Sequence, residues 1–285
     1  MKKILACTDG SDYARVVCRY SGWLAQLTEA RVDALYVSSL WEFELPFLMD
    51  LGGSVGASPY QGMTGALEEM ETHKAQLVEQ AAVRELIDAG LDAADFAFNH
   101  ETGLLVDALD HFETGEDAAS IIVLGKRGEG MSQAKEHLGG NLERVVRAAR
   151  QPCFICNREF RTIKRALLAY DGSASAQKAI DWLIAEPALH DIQLDVVTVS
   201  NGHGDDHLAR ALRVVESRLE DTEIHATCQL LTGDVEDEIV EFVEGNDIDL
   251  LLMGAYGHSR IRELLIGSTT TDLIRRCKIP LMLFR

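Results

Sequence analysis

The sequence contains the same plan twice. Ile4-Leu5-Ala6-Cys7-Thr8-Asp9-Gly10-Ser11 returns as Ala166-Leu167-Leu168-Ala169-Tyr170-Asp171-Gly172-Ser173, and Val32–Ser38 returns as Leu194–Ser200. Thr102-Gly103 returns as Thr232-Gly233, and Ile121–Gly125 as Leu250–Gly254. Val145-Val146-Arg147 and Pro152 match Leu273-Ile274-Arg275 and Pro280 at a constant offset. A tandem duplication of this kind limits 285 residues to two like domains, 1–157 and 164–285, with a linker near Asn157–Ile163. Each copy reads β-α-β-α-β-α-β-α-β. Strands that alternate with helices imply a parallel sheet with helices on both faces and right-handed crossovers. The fold class is therefore α/β, two tandem doubly wound domains of five strands each. In such sheets a ligand crevice opens beyond the carboxyl ends of the strands where strand order reverses.

In the first copy the apolar periodicity predicts a helix from about Tyr13 to Leu27. It also predicts a long amphipathic helix over Leu67–Ala89, a strand over Asp95–Asn99, a helix over Leu104–Glu113 and a strand over Ser120–Leu124. Trp41–Gly65 has no clear period and reads as a long glycine-rich loop, of the length that is functional or mobile. In the second copy the run Leu250-Leu251-Leu252-Met253 ends in Gly254, Gly257 and Gly267-Ser268, the pattern G-x2-G-x9-G-S. Glycines let the backbone approach a ligand and turn successive amides toward an anion. Ser268, Thr269, Thr270 and Thr271 then open a helix whose positive end faces the loop. Phosphate suits such a place. A tight turn with a capped helix explains the same glycines without a ligand, and both readings stand at this point.

Composition removes several partners. The formal net charge of -19 argues against nucleic acid and against anionic membrane, since both are polyanions. No apolar run approaches the roughly 20 residues that span a bilayer, and Met1-Lys2-Lys3 leads straight into a strand, so a cytoplasmic protein is expected. Six cysteines are scattered without a framework, and Cys153-Phe154-Ile155-Cys156, for all its C-x-x-C spacing, sits in a strand pattern. Alternation puts its two thiols on opposite faces, which favours neither a disulfide nor a metal pair.

With its D-G-S after the first strand, T-G before the third helix and G-x2-G-x9-G-S before the fourth, the chain resembles the universal stress protein family in its tandem form. The resemblance covers nearly the whole chain. It implies a five-stranded parallel sheet of order 3-2-1-4-5 in each half. Members with the full glycine pattern bind ATP, often with a divalent cation, here magnesium or manganese held through the phosphates; other members bind no nucleotide. Carried over, the resemblance gives Asp171 to the ribose and the main chain at Val199 to the adenine. Gly254, Gly257, Gly267, Ser268 and Thr269 go to the phosphates, and His258, Arg260 and Arg262 lie in the long loop beside them or simply in solvent.

The first copy departs from the pattern. Gly125 and Gly128 are present, but ten residues rather than nine precede Gly139, and Gly140-Asn141 replaces Ser268-Thr269. Lys126, Arg127 and Lys135 add positive charge to that loop, and Glu129 and Glu136 add negative charge. One competent site, in the second half, is therefore expected, while Asp9, Val37, Gly125, Gly128 and Gly139 are left for a different ligand.

Four classes of function compete. A nucleotide-binding regulatory or stress-response protein needs only the second-half site. A slow ATPase lacks a Walker lysine, a general base and a nucleophile triad, so no catalytic residue is assigned, and Asp237, Glu238 and Glu241 read as a solvated helix face. A phospho-acceptor module built on Asp9 and Asp171 lacks the paired acid and lysine at other strand ends. A scaffold or binder of another small molecule is the remaining alternative. Both halves end in a strand after proline, Pro152–Cys156 and Pro280–Phe284, and open edges favour pairing. The resemblance implies that these last strands join the halves into an intrachain pseudo-dimer, with a homodimer of chains as a further level.

Overall fold

The computed structural model describes residues 2–38, 60–115, 118–128, 140–202, 206–255 and 266–285, with the backbone alone for 60–64. In the first half β1 (Lys3–Cys7), α1 (Asp12–Thr28), β2 (Arg31–Ser38), α2 (Tyr60–Asp88) and β3 (Phe96–Thr102) lead to α3 (Leu105–Glu113), β4 (Ile121–Gly125), α4 (Gly140–Ala148) and β5 (Cys153–Cys156). The second half runs β6 (Arg165–Ala169), α5 (Ala174–Ala185), β7 (Gln193–Ser200), α6 (Asp206–Glu220) and β8 (Ala226–Thr232). It closes with α7 (Val235–Gly245), β9 (Leu250–Gly254), α8 (Ser268–Arg276) and β10 (Leu281–Phe284).

All ten strands form one sheet, ordered β3-β2-β1-β4-β5-β10-β9-β6-β7-β8. Each half thus has the order 3-2-1-4-5 and parallel neighbours throughout. The halves meet where β5 and β10 pair antiparallel, with Met282 opposite Phe154. Alternation sorts the strand side chains into two layers. Ile4, Phe154, Cys156, Leu168, Met282 and Phe284 join one core beneath α1, α2, α5 and α6. Leu5, Cys153, Ile155, Leu167, Leu281 and Leu283 join the other, beneath α3, α4, α7 and α8. Cys153 and Cys156 accordingly lie in different layers. Both cores run through both halves, so the seam between β5 and β10 is itself buried apolar surface of the kind that drives folding.

Three sequence expectations need correction. The loop read over Trp41–Gly65 ends earlier, because α2 begins at Tyr60; residues 41–59 lie outside the described part. Gly62 and Gly65 lower helix propensity locally and hid that start, whereas the body of the helix is held by the buried Ala75, Val78, Ala82 and Leu86. Nor are the apolar residues of α2 confined to its buried face: Met70, Leu77 and Ile87 are exposed. Third, β3 continues past Asn99 to Thr102, because its pairing with β2 persists through Ser38 opposite Thr102.

The linker is tied to α1 and to the turn before β10 rather than loose. The Tyr20 hydroxyl donates to Arg161 O at 3.1 Å and accepts from Arg161 N at 3.0 Å, and Asn157 Nδ2 donates to Ile279 O at 2.6 Å. No helix among the described residues is long and apolar enough to cross a membrane.

Candidate functional site

The carboxyl ends of β6, β7 and β9 and the amino end of α8 converge on one side of the second half. After β6 the chain turns through Asp171-Gly172-Ser173. Ser173 N donates to Asp171 Oδ1 at 2.9 Å, Gly172 takes φ +78, and Ser173 Oγ caps α5 by accepting from Ala176 N at 3.2 Å. Each residue of D-G-S therefore has a turn role: a side chain mimicking a backbone turn, a left-handed glycine and an N-cap. Asp9, Gly10 and Ser11 repeat it in the first half, with Ser11 N donating to Asp9 Oδ1 at 3.0 Å and Gly10 at φ +79. Val199 sits near the end of β7 opposite Leu231, and Val37 holds the corresponding place on β2 opposite Glu101.

The glycine pattern divides into two kinds of position. A Cβ on Gly254 would lie 2.3 Å from Ser175 Oγ and 3.3 Å from Ala176 N, so the end of β9 is pressed against the first turn of α5. A Cβ on Gly267 would meet nothing closer than 3.5 Å. Close packing demands the first glycine, and nothing in the described structure demands the second. Gly257, His258, Arg260 and Arg262 lie outside the described residues.

Two contacts bring the ends of the pattern together. Gly267 N donates to Ala255 O at 3.4 Å, and the buried Thr270 hydroxyl reaches Ala255 O at 3.3 Å and Gly254 O at 3.4 Å. Helix α8 then starts from Gly267 with no side-chain cap among the described residues, whereas α1, α5 and α7 are capped by Ser11, Ser173 and Asp234. The first amides of a helix without a cap are open donors at the positive end of a dipole. Ser268 is exposed beside them.

Sequence reasoning missed Glu236. It lies in the first turn of α7, and the Thr269 hydroxyl donates to its Oε1 at 2.6 Å. The repeat held a signal, because the corresponding first-half residues are Val106 and Asn141, neither of them acidic. The acids read as a solvated face have partners in part: Asp237 pairs with Arg276 at 2.8 Å, and Glu238 Oε1 folds over Gly233, 2.3 Å from where a Cβ would be.

The first half is arranged differently. A Cβ on Gly125 would lie 2.8 Å from Tyr13 Cβ, and one on Gly128 would lie 2.7 Å from Asp9 Oδ2, so Asp9 and Gly128 do come together. Gly139, with Glu129, Lys135 and Glu136, lies outside the described residues. Lys126, read as a positive charge of this loop, points elsewhere. It is buried, and its Nζ donates to Cys277 O at 3.1 Å and Arg275 O at 3.3 Å, at the carboxyl end of α8 in the other half. Its pKa is lowered to about 8, chiefly by burial, with Cys277 opposing the shift and Arg127 adding to it. Burial pushes the Cys7 and Cys18 thiols up to about 12 and raises Cys153 and Cys156 as well, which disfavours the thiolate at all four.

Known proteins match this arrangement over the whole chain. The family model of the universal stress protein family matches twice, over residues 1–157 and 162–285. The Synechocystis universal stress protein Slr1230 is 39% identical over 292 residues, covering 100% of both chains. The chain belongs to the universal stress protein family. A Thermus aquaticus universal stress protein is 30% identical over 135 residues, which is 43% of this chain and 98% of that one. Among solved structures, a universal stress protein of Archaeoglobus fulgidus superposes with a TM-score of 0.72 at 22% identity, covering 99% of this chain and 96% of its own. A functionally unknown protein of Pseudomonas aeruginosa reaches 0.65 at 12% identity, covering 100% and 92%. At those identities the structures attest the shared fold.

Proposed function

We propose that this universal stress protein binds ATP at one site, at the amino end of α8, and serves as a regulatory nucleotide-binding module. The observation that carries the reading is the first turn of α8, which has no side-chain cap among the described residues and starts at a glycine where a Cβ would meet nothing closer than 3.5 Å. A phosphate there would supply the acceptors that a capping side chain supplies elsewhere in this chain. Ser268 and Thr269 bring hydroxyls to the same turn, and the ends of β6 and β7 carry Asp171 and Val199 for the nucleoside. The described residues include no cluster of three metal-ligating side chains, so magnesium or manganese would arrive with the phosphates and take most of its ligands from them. The first half supports a single site by contrast. Gly140 and Asn141 open α4 in place of Ser268 and Thr269, and Lys126 is engaged by the other half.

The test is to denature purified protein, chromatograph the released nucleotides, and titrate the stripped protein with Mg-ATP. One adenine nucleotide per chain, lost in Ser268→Ala, is the expected result. Two per chain would give the first half a working site. No nucleotide released and no heat of binding would remove the nucleotide reading and leave a scaffold or a binder of another small molecule.

A further inference from the structure

The bond from Thr269 to Glu236 bears on how phosphates enter this site. At 2.6 Å, part-buried, it has the length of a charge-assisted O–H···O⁻ bond. Thr269 belongs to the turn whose amides would face the phosphates, so a polyphosphate reaching its hydroxyl would stand beside a carboxylate. Glu236 is not needed to cap α7, since Asp234 Oδ1 already accepts from Asp237 N at 3.2 Å. The cation on the adjoining face of α8 is engaged as well, Arg276 pairing with Asp237 at 2.8 Å and Asp272 at 3.3 Å. Among the described residues Glu236 has no ion-pair partner, and its contact is a neutral hydroxyl.

On the reading that this site takes nucleotide phosphates, we infer that Glu236 makes binding depend on a divalent cation. A cation held by the Glu236 carboxylate together with phosphate would offset that repulsion. Without it, Glu236 opposes a highly charged polyphosphate and holds the Thr269 hydroxyl away from it. Hard divalent cations suit this role, since magnesium is commonly held by one or two carboxylates together with substrate phosphates. The first half, with Val106 and Asn141 at the matching positions, has no such device.

Calorimetric titration of ATP into nucleotide-stripped protein tests this, with magnesium and separately with EDTA, for wild type, Glu236→Gln and Thr269→Val. The glutamine keeps an acceptor for Thr269 and removes the charge, and the valine removes the hydroxyl and keeps the charge. Wild type is expected to lose affinity in EDTA by about tenfold or more, a factor worth about 1.4 kcal/mol. Glu236→Gln should bind metal-free ATP at least about tenfold tighter than wild type does and lose most of the magnesium effect. Thr269→Val should retain the wild-type magnesium effect, so the charge is tested even if one variant folds poorly. Equal ratios of magnesium to EDTA affinity in wild type and Glu236→Gln would overturn the inference while leaving the nucleotide site standing. Loss of the magnesium effect in Thr269→Val would also overturn it. Wild type that binds ATP in neither condition would remove the nucleotide reading and this inference together.

Discussion

A methyl group added at Gly254 would press on Ser175 and on the backbone of Ala176, while one added at Gly267 would sit at ordinary contact distance from the Thr270 hydroxyl and Ala255 O. Two glycines of one motif therefore answer to different demands. Gly254→Ala should cost roughly 1–3 kcal/mol of stability by overpacking. Urea denaturation would show it, and a Ser175→Ala partner mutation should recover only part, because Ala176 N still lies 3.3 Å away. Gly267→Ser should do the reverse. A serine there caps α8 with its own side chain, raises stability by about a few tenths of a kcal/mol, and weakens ATP binding by occupying amides the phosphates would use. Unchanged ATP affinity in Gly267→Ser would count against those amides as the phosphate ligands.

At the scale of elements, the end of β9 and the start of α8 are joined by one buried side chain. The Thr270 hydroxyl spans to Ala255 O and Gly254 O, and no other side chain of the described residues makes that connection. Thr270→Val keeps the shape and loses the donor, so about 1–2 kcal/mol should be lost. If this bond also holds α8 in place for phosphates, ATP affinity falls by more than the stability change alone explains, which titration at a temperature well below the unfolding transition would reveal. The helices themselves were readable because their apolar period is local. The early start of α2 was not, since two glycines obscured it while packing on the sheet held the body of the helix.

Across the whole molecule, the halves are fastened by more than the pairing of β5 with β10. Lys126 of the first half closes the carboxyl end of α8, and Arg285 of the second donates to Arg147 O at the end of α4. Cations suit both helix ends. Burial lowers the Lys126 pKa to about 8 from an ordinary 10.5, so the folded state binds this proton less tightly than the unfolded one. Below about pH 8 the fold carries the full desolvation cost of the charge, and above 10.5 it carries none. Stability from this group therefore rises with pH across that window, by up to roughly 3 kcal/mol. Thermal melts of wild type and Lys126→Met from pH 7 to 10 should show wild type gaining relative to the variant. A constant difference would mean that the ammonium is not held as the geometry indicates.

The tandem repeat and the parallel sheet were legible in the sequence alone, because duplication and strand–helix alternation are each written in neighbouring residues. Partnership across the fold was not legible. Glu236 meets Thr269 across 33 positions of sequence, and Lys126 reaches Cys277 across 151. Lys126 read only as a positive charge of its loop, because sequence records which side chains are present but not the direction in which the packed backbone aims them. Only the tertiary structure decided that it fastens the halves and that Gly254 packs against the first turn of α5.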